Sequence, residues 1–174
     1  MIEQGTGRKR CTFCMISTQA APCKKKRIDA MFSKTCEYGI KAVLYIARQS
    51  LLQERSKMSD IVQQIGSPEA FTGKILGTLS RHGIIDSYTG PHGGFEISQE
   101  RLHLITVADI VRAIDGDEFF EGCVLGLGAC DATHPCPMHH AVEPVRKEMI
   151  DVLQQATVFE LAMGLKNEIS LLIR

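Results

Sequence analysis

The chain has 174 residues, of which 44% are hydrophobic and 23% charged, and it contains no tryptophan. This composition is typical of a globular protein and excludes wholesale disorder. Basic and acidic residues balance overall, but residues 1–30 contain seven basic and two acidic residues, a net charge of +5, which leaves −5 for the other 144. Any binding of nucleic acid must therefore come from a local basic face.

No apolar run approaches the ~20 residues that cross a bilayer, and the N-terminus lacks the apolar core of a secretory signal. We therefore expect a cytoplasmic protein with no membrane partner. The chain has seven cysteines. Because disulfides are rare in the cytoplasm, this number indicates metal or redox chemistry.

Residues 1–30 are polar and basic and show no apolar period, which predicts a disordered basic tail. Two alternatives remain for this segment. Cys11 and Cys14 have the spacing of a metal knuckle, and the KKKR run at 24–27 could contact phosphate.

From Ser33 to about Leu52, apolar residues recur at helical spacing and predict an amphipathic first helix. We expect Ser59 to cap a short second helix that stops at Gly66. A third helix follows at once and runs to a glycine, with serine as N-cap and proline at its first position; the residues are Ser67, Pro68 and Gly83.

Two β-prone runs, residues 84–88 and 95–98, flank the turn-rich segment TGPHGG and predict a β-hairpin. A helix-turn-helix followed by a hairpin is the plan of a winged helix. Thr106 and Asp109 then form the pattern of a capping box that opens a helix, and Gly116 closes it. These elements predict a winged-helix domain over residues 31–116.

A recognition helix contacts base edges through its N-terminal residues, which must be polar or small. The candidate phosphate contacts are Arg81, Lys74 and Lys57. The alternative is that these residues form an ordinary solvated helix face. The predicted DNA contacts in this region are Ser67, Glu69, Ala70, Thr72, Gly73, Lys74 and Arg81.

The segment 117–140 is broken by glycine and proline and is predicted to be a metal-binding loop. Three cysteines lie in it, separated by six and five residues: Cys123, Cys130 and Cys136. Thiolates are the main ligands of iron–sulphur clusters, so a cluster is the favoured cofactor. Zinc is the second choice, since structural zinc sites prefer tighter spacing; a thiol switch without metal is the third.

Three cysteines leave a fourth ligand to be supplied. His139 follows Cys136 by three residues, so a short turn would let both side chains reach one centre. His134 and His140 are neighbouring alternatives, and Glu37 in the first helix is a carboxylate alternative. Beyond the loop, residues 141–174 predict a long helix, 141–155, and a last helix that begins at Thr157.

From Met31 to about Leu165 the chain resembles the IscR and NsrR group of bacterial winged-helix regulators, also called the Rrf-two family. The matching segments are EYGIKAVLYIA, SPEAFTGKILGTLSRHGII, GPHGGF, ITVADIVRAIDG and the spaced cysteines before a long helix. The resemblance implies a mainly α protein with a small β-hairpin: a winged helix-turn-helix followed by a long C-terminal dimerisation helix, so that residues 141–174 pair two copies.

The resemblance also implies that a homodimer binds a palindromic DNA operator, with the wings in the minor groove. Relatives of the IscR kind hold a 2Fe-2S cluster by three cysteines and a histidine placed like His139. Nitric-oxide-sensing relatives use a partner's carboxylate, placed like Glu37, and can hold a 4Fe-4S cluster. The C-x-x-H match favours His139 and 2Fe-2S. One departure lies in the wing, where many relatives have arginine and this chain has Thr89; His92 is the residue that could compensate.

The sequence thus predicts a transcriptional repressor, not an enzyme, whose DNA binding is controlled by an iron–sulphur cluster that senses redox state, nitric oxide or cluster supply. No nucleophile–base pair or phosphate-binding glycine motif is evident. The alternative is a zinc-stabilised or thiol-based regulator or interaction module without a cluster.

Overall fold

The computed structural model of the chain describes residues 31–128 and 130–165. The predicted tail, residues 1–30, and residues 166–174 of the predicted dimerisation segment lie outside the described residues. The elements in chain order are α1 (Lys34–Leu51), α2 (Met58–Ile65), α3 (Glu69–Arg81), β1 (Asp86–Tyr88), β2 (Gly94–Glu96), α4 (Gln99–Leu102), α5 (Val107–Asp115), α6 (Glu118–Glu121), α7 (His139–Gln155) and α8 (Val158–Gly164). The prediction of a mainly α chain with a β-hairpin is confirmed.

Helix α1 is the centre of the fold. All six residues from 42 to 47 are buried, with exposures between 0 and 8%. Helices α2, α3, α5 and α8 pack around it. At its N-terminus the Ser33 hydroxyl accepts a hydrogen bond from the Cys36 N–H (3.0 Å) and donates one to Asp115 at the end of α5. The cap therefore also ties α1 to α5.

The helix-turn-helix is formed by α2 and α3, and Gly66 between them is left-handed with a φ of 65°, as the sequence predicted. The predicted caps are wrong by a residue or more. Ser59 lies inside α2, whose N-cap is Lys57, and the N-cap of α3 is Pro68 rather than Ser67. Because the backbone of Pro68 is still extended (ψ 139°), the chain enters the helix one residue later than predicted.

The wing is an antiparallel hairpin in which Asp86 pairs with Glu96 and Tyr88 with Gly94. Both strands are shorter than the predicted runs 84–88 and 95–98, because Ile84, Ile85 and Ile97 turn into the core instead of extending the ladder. Ser56 adds a third, strand-like partner by exchanging two backbone hydrogen bonds of 2.9 Å with Phe95. The base of the hairpin is thus fixed to the segment between α1 and α2.

Helices α5, α7 and α8 follow the hairpin in the chain, and their starts can be compared with the prediction. The predicted capping boxes of α5 (Thr106, Asp109) and α8 (Thr157, Glu160) are both present. Helix α7 begins at His139, two residues earlier than predicted, because the His139 N–H bonds to the Cys136 carbonyl (3.0 Å) and starts the turn early. No helix among the described residues is long and apolar enough to span a membrane.

The core has two parts that meet at α1. The larger part joins α1 to the helix-turn-helix, the hairpin base and α8. The smaller part contains Cys36, Val107, Ala108, Val111, Phe120 and Leu153. Through Leu153, this second part is the place where α7 joins the body.

Replacing Gly77 by alanine should stabilise the protein. Gly77 is exposed in the middle of α3, and a Cβ added there would meet no atom within 4 Å. Alanine restricts the unfolded backbone more than glycine does, so we expect the free energy of unfolding to rise by about 0.5–1 kcal/mol in urea titrations. Leu76→Ala at the fully buried neighbouring position is the control, with an expected loss of about 2–5 kcal/mol. A loss of stability in Gly77→Ala would contradict this description of α3.

Candidate DNA interface and metal centre

The outer face of α3 carries the polar and small residues that the sequence predicted for DNA contact. Glu69, Ala70, Lys74 and Arg81 are exposed, and Gly73 is half-buried. The opposite face is closed by Ile75, Leu76 and Leu79, which are buried in the core. Packing therefore fixes which side of the helix faces outward.

Two of the predicted DNA contacts need correction. Thr72 is fully buried, and its hydroxyl donates to the carbonyl of Pro68 at 3.0 Å. Ser67 is 4% exposed, and its hydroxyl is also buried. Because both side chains are buried, neither is placed to contact a base edge, and the Thr72 hydrogen bond instead ties the first turn of α3 to Pro68.

Arg81 is the last residue of α3 and folds back onto its own helix. Its guanidinium donates to the Gly77 carbonyl (3.3 Å) and to the Thr78 hydroxyl (3.1 Å). Since base contacts come from the N-terminal end of a recognition helix, this position is suited to a phosphate rather than to a base edge.

Arg55 was not predicted as a functional residue from the sequence, but it holds the wing through three contacts. Its Nε lies 2.7 Å from a carboxylate oxygen of Glu96, its guanidinium carbon lies 3.9 Å from the centre of the Tyr88 ring, and its Nη1 donates to the His92 carbonyl at 3.4 Å. The hydrogen bond from Arg55 lowers the pKa of the Glu96 carboxyl, and the hydrogen bond to Glu96 raises the pKa of Tyr88.

These contacts leave Thr89 and His92 exposed at the wing tip, where the sequence placed them. The turn between the strands admits no side chain at Gly93, because a Cβ there would lie 2.4 Å from the Tyr88 carbonyl oxygen. Glycine is therefore required at position 93 for this turn. Arg55 and Glu96 are 41 residues apart, and no sequence pattern links them.

The predicted metal ligands of the cysteine segment lie together at the start of α7. The sulfur atoms of Cys123 and Cys136 are 3.6 Å apart, and the sulfur of Cys130 is 3.2 Å from Nδ1 of His139. His139 is buried, with 7% exposure, whereas the three thiols are half-buried. Three thiols and one imidazole form the donor set for an iron–sulphur cluster or for zinc.

Backbone hydrogen bonds fold the loop in this way. The Cys123 N–H donates to the Gly128 carbonyl (3.1 Å) and the Cys130 N–H to the Glu121 carbonyl (3.3 Å). From α7, the Arg146 guanidinium donates to the Gly122 carbonyl at 2.7 Å. The loop is thus tied at its first residues both to α6 and to α7.

The other candidate ligands have different surroundings. Glu37 forms an ion pair with Lys34 at 3.0 Å on α1. His134 is exposed and lies 3.2 Å from Asp131, and the exposed His140 ring stands edge-on to His139 with 5.2 Å between centroids. Within one chain, His139 is therefore the candidate fourth ligand that contacts a loop cysteine.

The cysteines differ in their electrostatics. Hydrogen bonds from the backbone N–H groups of Leu127 and Leu125 lower the pKa of Cys123. Burial raises the pKa of Cys36 to about 12, with a further contribution from the Asp115 carboxylate. Cys36 is thus a core residue, and Cys123 is suited to act as a thiolate.

An open groove of about 840 Å³ runs between the loop and α7. Its apolar lining includes Phe119, Val124, Val142, Val145 and Met149. Val145 and Val152 of α7 are 62% and 60% exposed, so the outward side of this helix presents apolar surface to solvent.

Comparison with known proteins identifies the family of this chain. The Rrf2 family, described as an iron-dependent transcriptional regulator, matches residues 32–163. The chain belongs to the Rrf2 family. The predicted resemblance to the Rrf-two family is confirmed, and the chain is a DNA-binding transcriptional regulator, not an enzyme.

Relatives of this Rrf2 chain support the same conclusion. A protein of Aquifex aeolicus (strain VF5), assigned as an HTH-type transcriptional regulator, is 30% identical over 135 residues, 75% of this chain and 90% of the relative. The HTH-type transcriptional regulator IscR of Vibrio cholerae serotype O1 is 25% identical over 132 residues, 76% of this chain and 73% of that protein.

Solved structures show the same winged-helix fold. CymR, the global cysteine regulator of B. subtilis, has a TM-score of 0.60 at 21% identity, with coverage of 76% of this chain and 96% of that one. IscR of T. potens has a TM-score of 0.59 at 20% identity, with coverage of 78% and 88%.

The cysteines should differ in reactivity when the protein is freed of metal and reduced. Because only the thiolate is nucleophilic, we expect iodoacetamide at neutral pH to modify Cys123 well before Cys36, which should react only after denaturation. Peptide mass spectrometry over a time course measures both rates in one sample. Equal rates for the two cysteines in the folded protein would contradict the environments described.

Proposed function

We propose that this Rrf2 regulator is a repressor that binds a palindromic operator as a homodimer, and that an iron–sulphur cluster held by Cys123, Cys130, Cys136 and His139 controls its DNA affinity. The observation that carries the proposal is the placement of these four side chains at one end of α7, in two contacting pairs. The donor set fits the group, since cysteine thiolates are the main ligands of iron–sulphur clusters and histidine replaces cysteine in some of them. We favour a 2Fe-2S cluster.

The cluster would supply a centre sensitive to redox state, nitric oxide or iron supply. The chain's own residues supply the connection to DNA. His139 is the first residue of α7, and Cys136 accepts the hydrogen bond that starts this helix. Ligands that hold the loop therefore also fix where α7 begins. A change in the loop would shift an equilibrium between arrangements of α7, by as much as the two arrangements differ in affinity for the cluster.

We propose that α7, within the segment 141–174, is the dimerisation helix. Its described residues bury only His139 and Leu153 within one chain, while Val145 and Val152 are exposed. An apolar side left open at these positions supports pairing with a second copy. Pairing would set the separation of the two recognition helices, which must match half-sites about 34–36 Å apart.

In this dimer the winged-helix domain, residues 31–116, reads DNA. We assign base-edge and phosphate contacts to the exposed start of α3 and to the wing. The residues that we propose are Glu69, Ala70, Gly73, Lys74, Arg81, Thr89 and His92, with Arg55 holding the wing in position.

A thiol switch is the second candidate, because one observation favours it. The Cys123 and Cys136 sulfur atoms are 3.6 Å apart, and hydrogen bonds lower the pKa of Cys123. The two sulfur atoms would have to approach by about 1.5 Å to reach the ~2.05 Å of a disulfide, with a two-electron oxidant accepting the electrons. Zinc on the same donors is a further alternative, as is a 4Fe-4S cluster with Glu37 of the partner subunit as the fourth ligand.

Anaerobic purification should yield protein with iron, acid-labile sulfide and visible absorption. Cys130→Ala should lose the cluster because it removes a ligand that contacts His139, whereas Cys36→Ala, in the buried core, should keep it. Metal analysis and absorption spectra measure both. A colourless wild-type protein that contains only zinc would support the zinc alternative, and one with no metal but a Cys123–Cys136 disulfide after oxidation would support the thiol switch.

DNA affinity should depend steeply on salt. Lys74 is exposed on α3, and a phosphate contact there should release about one counterion, so Lys74→Ala should reduce the slope of log K against log salt by about one unit. Lys147→Ala, on the exposed side of α7, is the matched control and should leave the slope unchanged. Equal slopes for Lys74→Ala and wild type would remove Lys74 from the interface.

A further inference from the structure

A second group of metal-ligand side chains lies on the first turn of α7, and it contains no thiol. His139, His140 and Glu143 place two imidazole nitrogens and a carboxylate oxygen within 4.8 Å of one another. Imidazole and carboxylate are ligands that first-row transition metals accept readily. The group differs from the cysteine centre in chemistry, although it shares His139.

The His139 ring is oriented so that one nitrogen faces the cysteine centre and the other faces Glu143. Nδ1 lies 3.2 Å from the sulfur of Cys130. Nε2 lies 3.8 Å from a carboxylate oxygen of Glu143, one helical turn further along the chain. Because the ring is buried and Cys130 contacts one side of it, Nε2 remains directed towards the carboxylate.

The other two ligands can close the remaining distance. Bonds of about 2.0–2.2 Å to a tetrahedral zinc ion place its ligand atoms roughly 3.4 Å apart, so the atoms must approach by at most about 1.4 Å from their 4.8 Å limit. The Glu143 side chain is 64% exposed and the His140 side chain is exposed. Both can therefore rotate in solvent without displacing packed neighbours, and solvent can occupy a fourth position.

The Glu143 carboxylate has an electrostatic role at this position. The N-terminus of a helix carries a partial positive charge, which opposes a cation bound at its first turn. Glu143 supplies a negative charge at the site and offsets this effect. A site of two histidines alone would lack that compensation, so loss of the Glu143 carboxylate should weaken metal binding.

We propose that His139, His140 and Glu143 form a mononuclear site for a divalent transition-metal ion such as Zn²⁺, which shares only His139 with the thiol-based centre.

The shared histidine gives this site a regulatory consequence, which rests on the function proposed above. A neutral imidazole offers one lone pair, and its other nitrogen carries a proton. One imidazole lone pair serves one metal centre, so His139 can bind the ion through Nε2 or the cluster on the side of Cys130. Occupancy of the mononuclear site removes His139 from the cluster ligands, so the ion and the cluster compete.

The first test isolates the site from every candidate thiolate ligand. In the full chain, Cys11, Cys14, Cys23, Cys123, Cys130 and Cys136 are replaced by serine, and the buried Cys36 is kept. Zn²⁺ titration by calorimetry should show one saturable site per chain. Adding Glu143→Gln or His140→Ala to this background should weaken Zn²⁺ binding by roughly tenfold or more, since loss of even an outer-shell partner of a metal ligand costs about 10–100-fold.

Glu148→Gln is the matched control, because it removes an exposed carboxylate further along the same helix. Circular dichroism confirms that each variant is folded. Failure of Zn²⁺ to saturate the serine variant, or equal affinities for Glu143→Gln and Glu148→Gln, would overturn the site.

The second test addresses the competition in the wild-type protein. Preloading with Zn²⁺ should slow anaerobic cluster assembly, followed by visible absorption, and Glu143→Gln should abolish the slowing while still assembling the cluster. Equal slowing in both proteins would overturn the competition. Absence of a cluster in all samples would contradict the proposed function but not the zinc site, since the calorimetric result does not depend on the cluster.

Discussion

The burial of α1 is the constraint on which the rest of the structure depends. Six consecutive residues, 42–47, are enclosed, so the helix must be covered on every side rather than along a single stripe. The helix-turn-helix and the hairpin base cover its middle and end. Its first turn, through Cys36, packs against α5, α6 and α7. Helix α1 therefore connects the helix-turn-helix and the hairpin base to α6, where the cysteine segment begins, and to the C-terminal part of α7.

The connection of α7 to the body is much lighter than that of α1. Among the described residues of α7, only His139 and Leu153 are buried, and the Arg146 bond to Gly122 adds a polar tie to the loop. A helix held at so few points takes its position from whatever fixes its ends. Because the candidate ligands lie at one of those ends, a metal centre in the loop, as we propose, would be coupled to the placement of α7.

The wing has a base that is held by several contacts and a tip that is exposed. Arg55 contacts a carboxylate, an aromatic ring and a backbone carbonyl on the hairpin, and Ser56 pairs with Phe95 beside it. These contacts fix the base and flank of the hairpin. Its tip remains exposed, and the steric limit at Gly93 keeps the tip narrow. The hairpin thus combines a base held by side-chain and backbone contacts with an accessible tip.

Local sequence patterns were sufficient to predict the order of the main elements and the candidate ligands. Capping boxes at Thr106 and Thr157, the left-handed Gly66 and the cysteine spacing each depend on residues within a few positions, so the winged-helix plan and the candidate ligands could be read directly. Tertiary structure decided the rest. Burial of Thr72, the Arg55–Glu96 pair and the orientation of His139 between Cys130 and Glu143 depend on packing between distant or irregular segments, which no local pattern records.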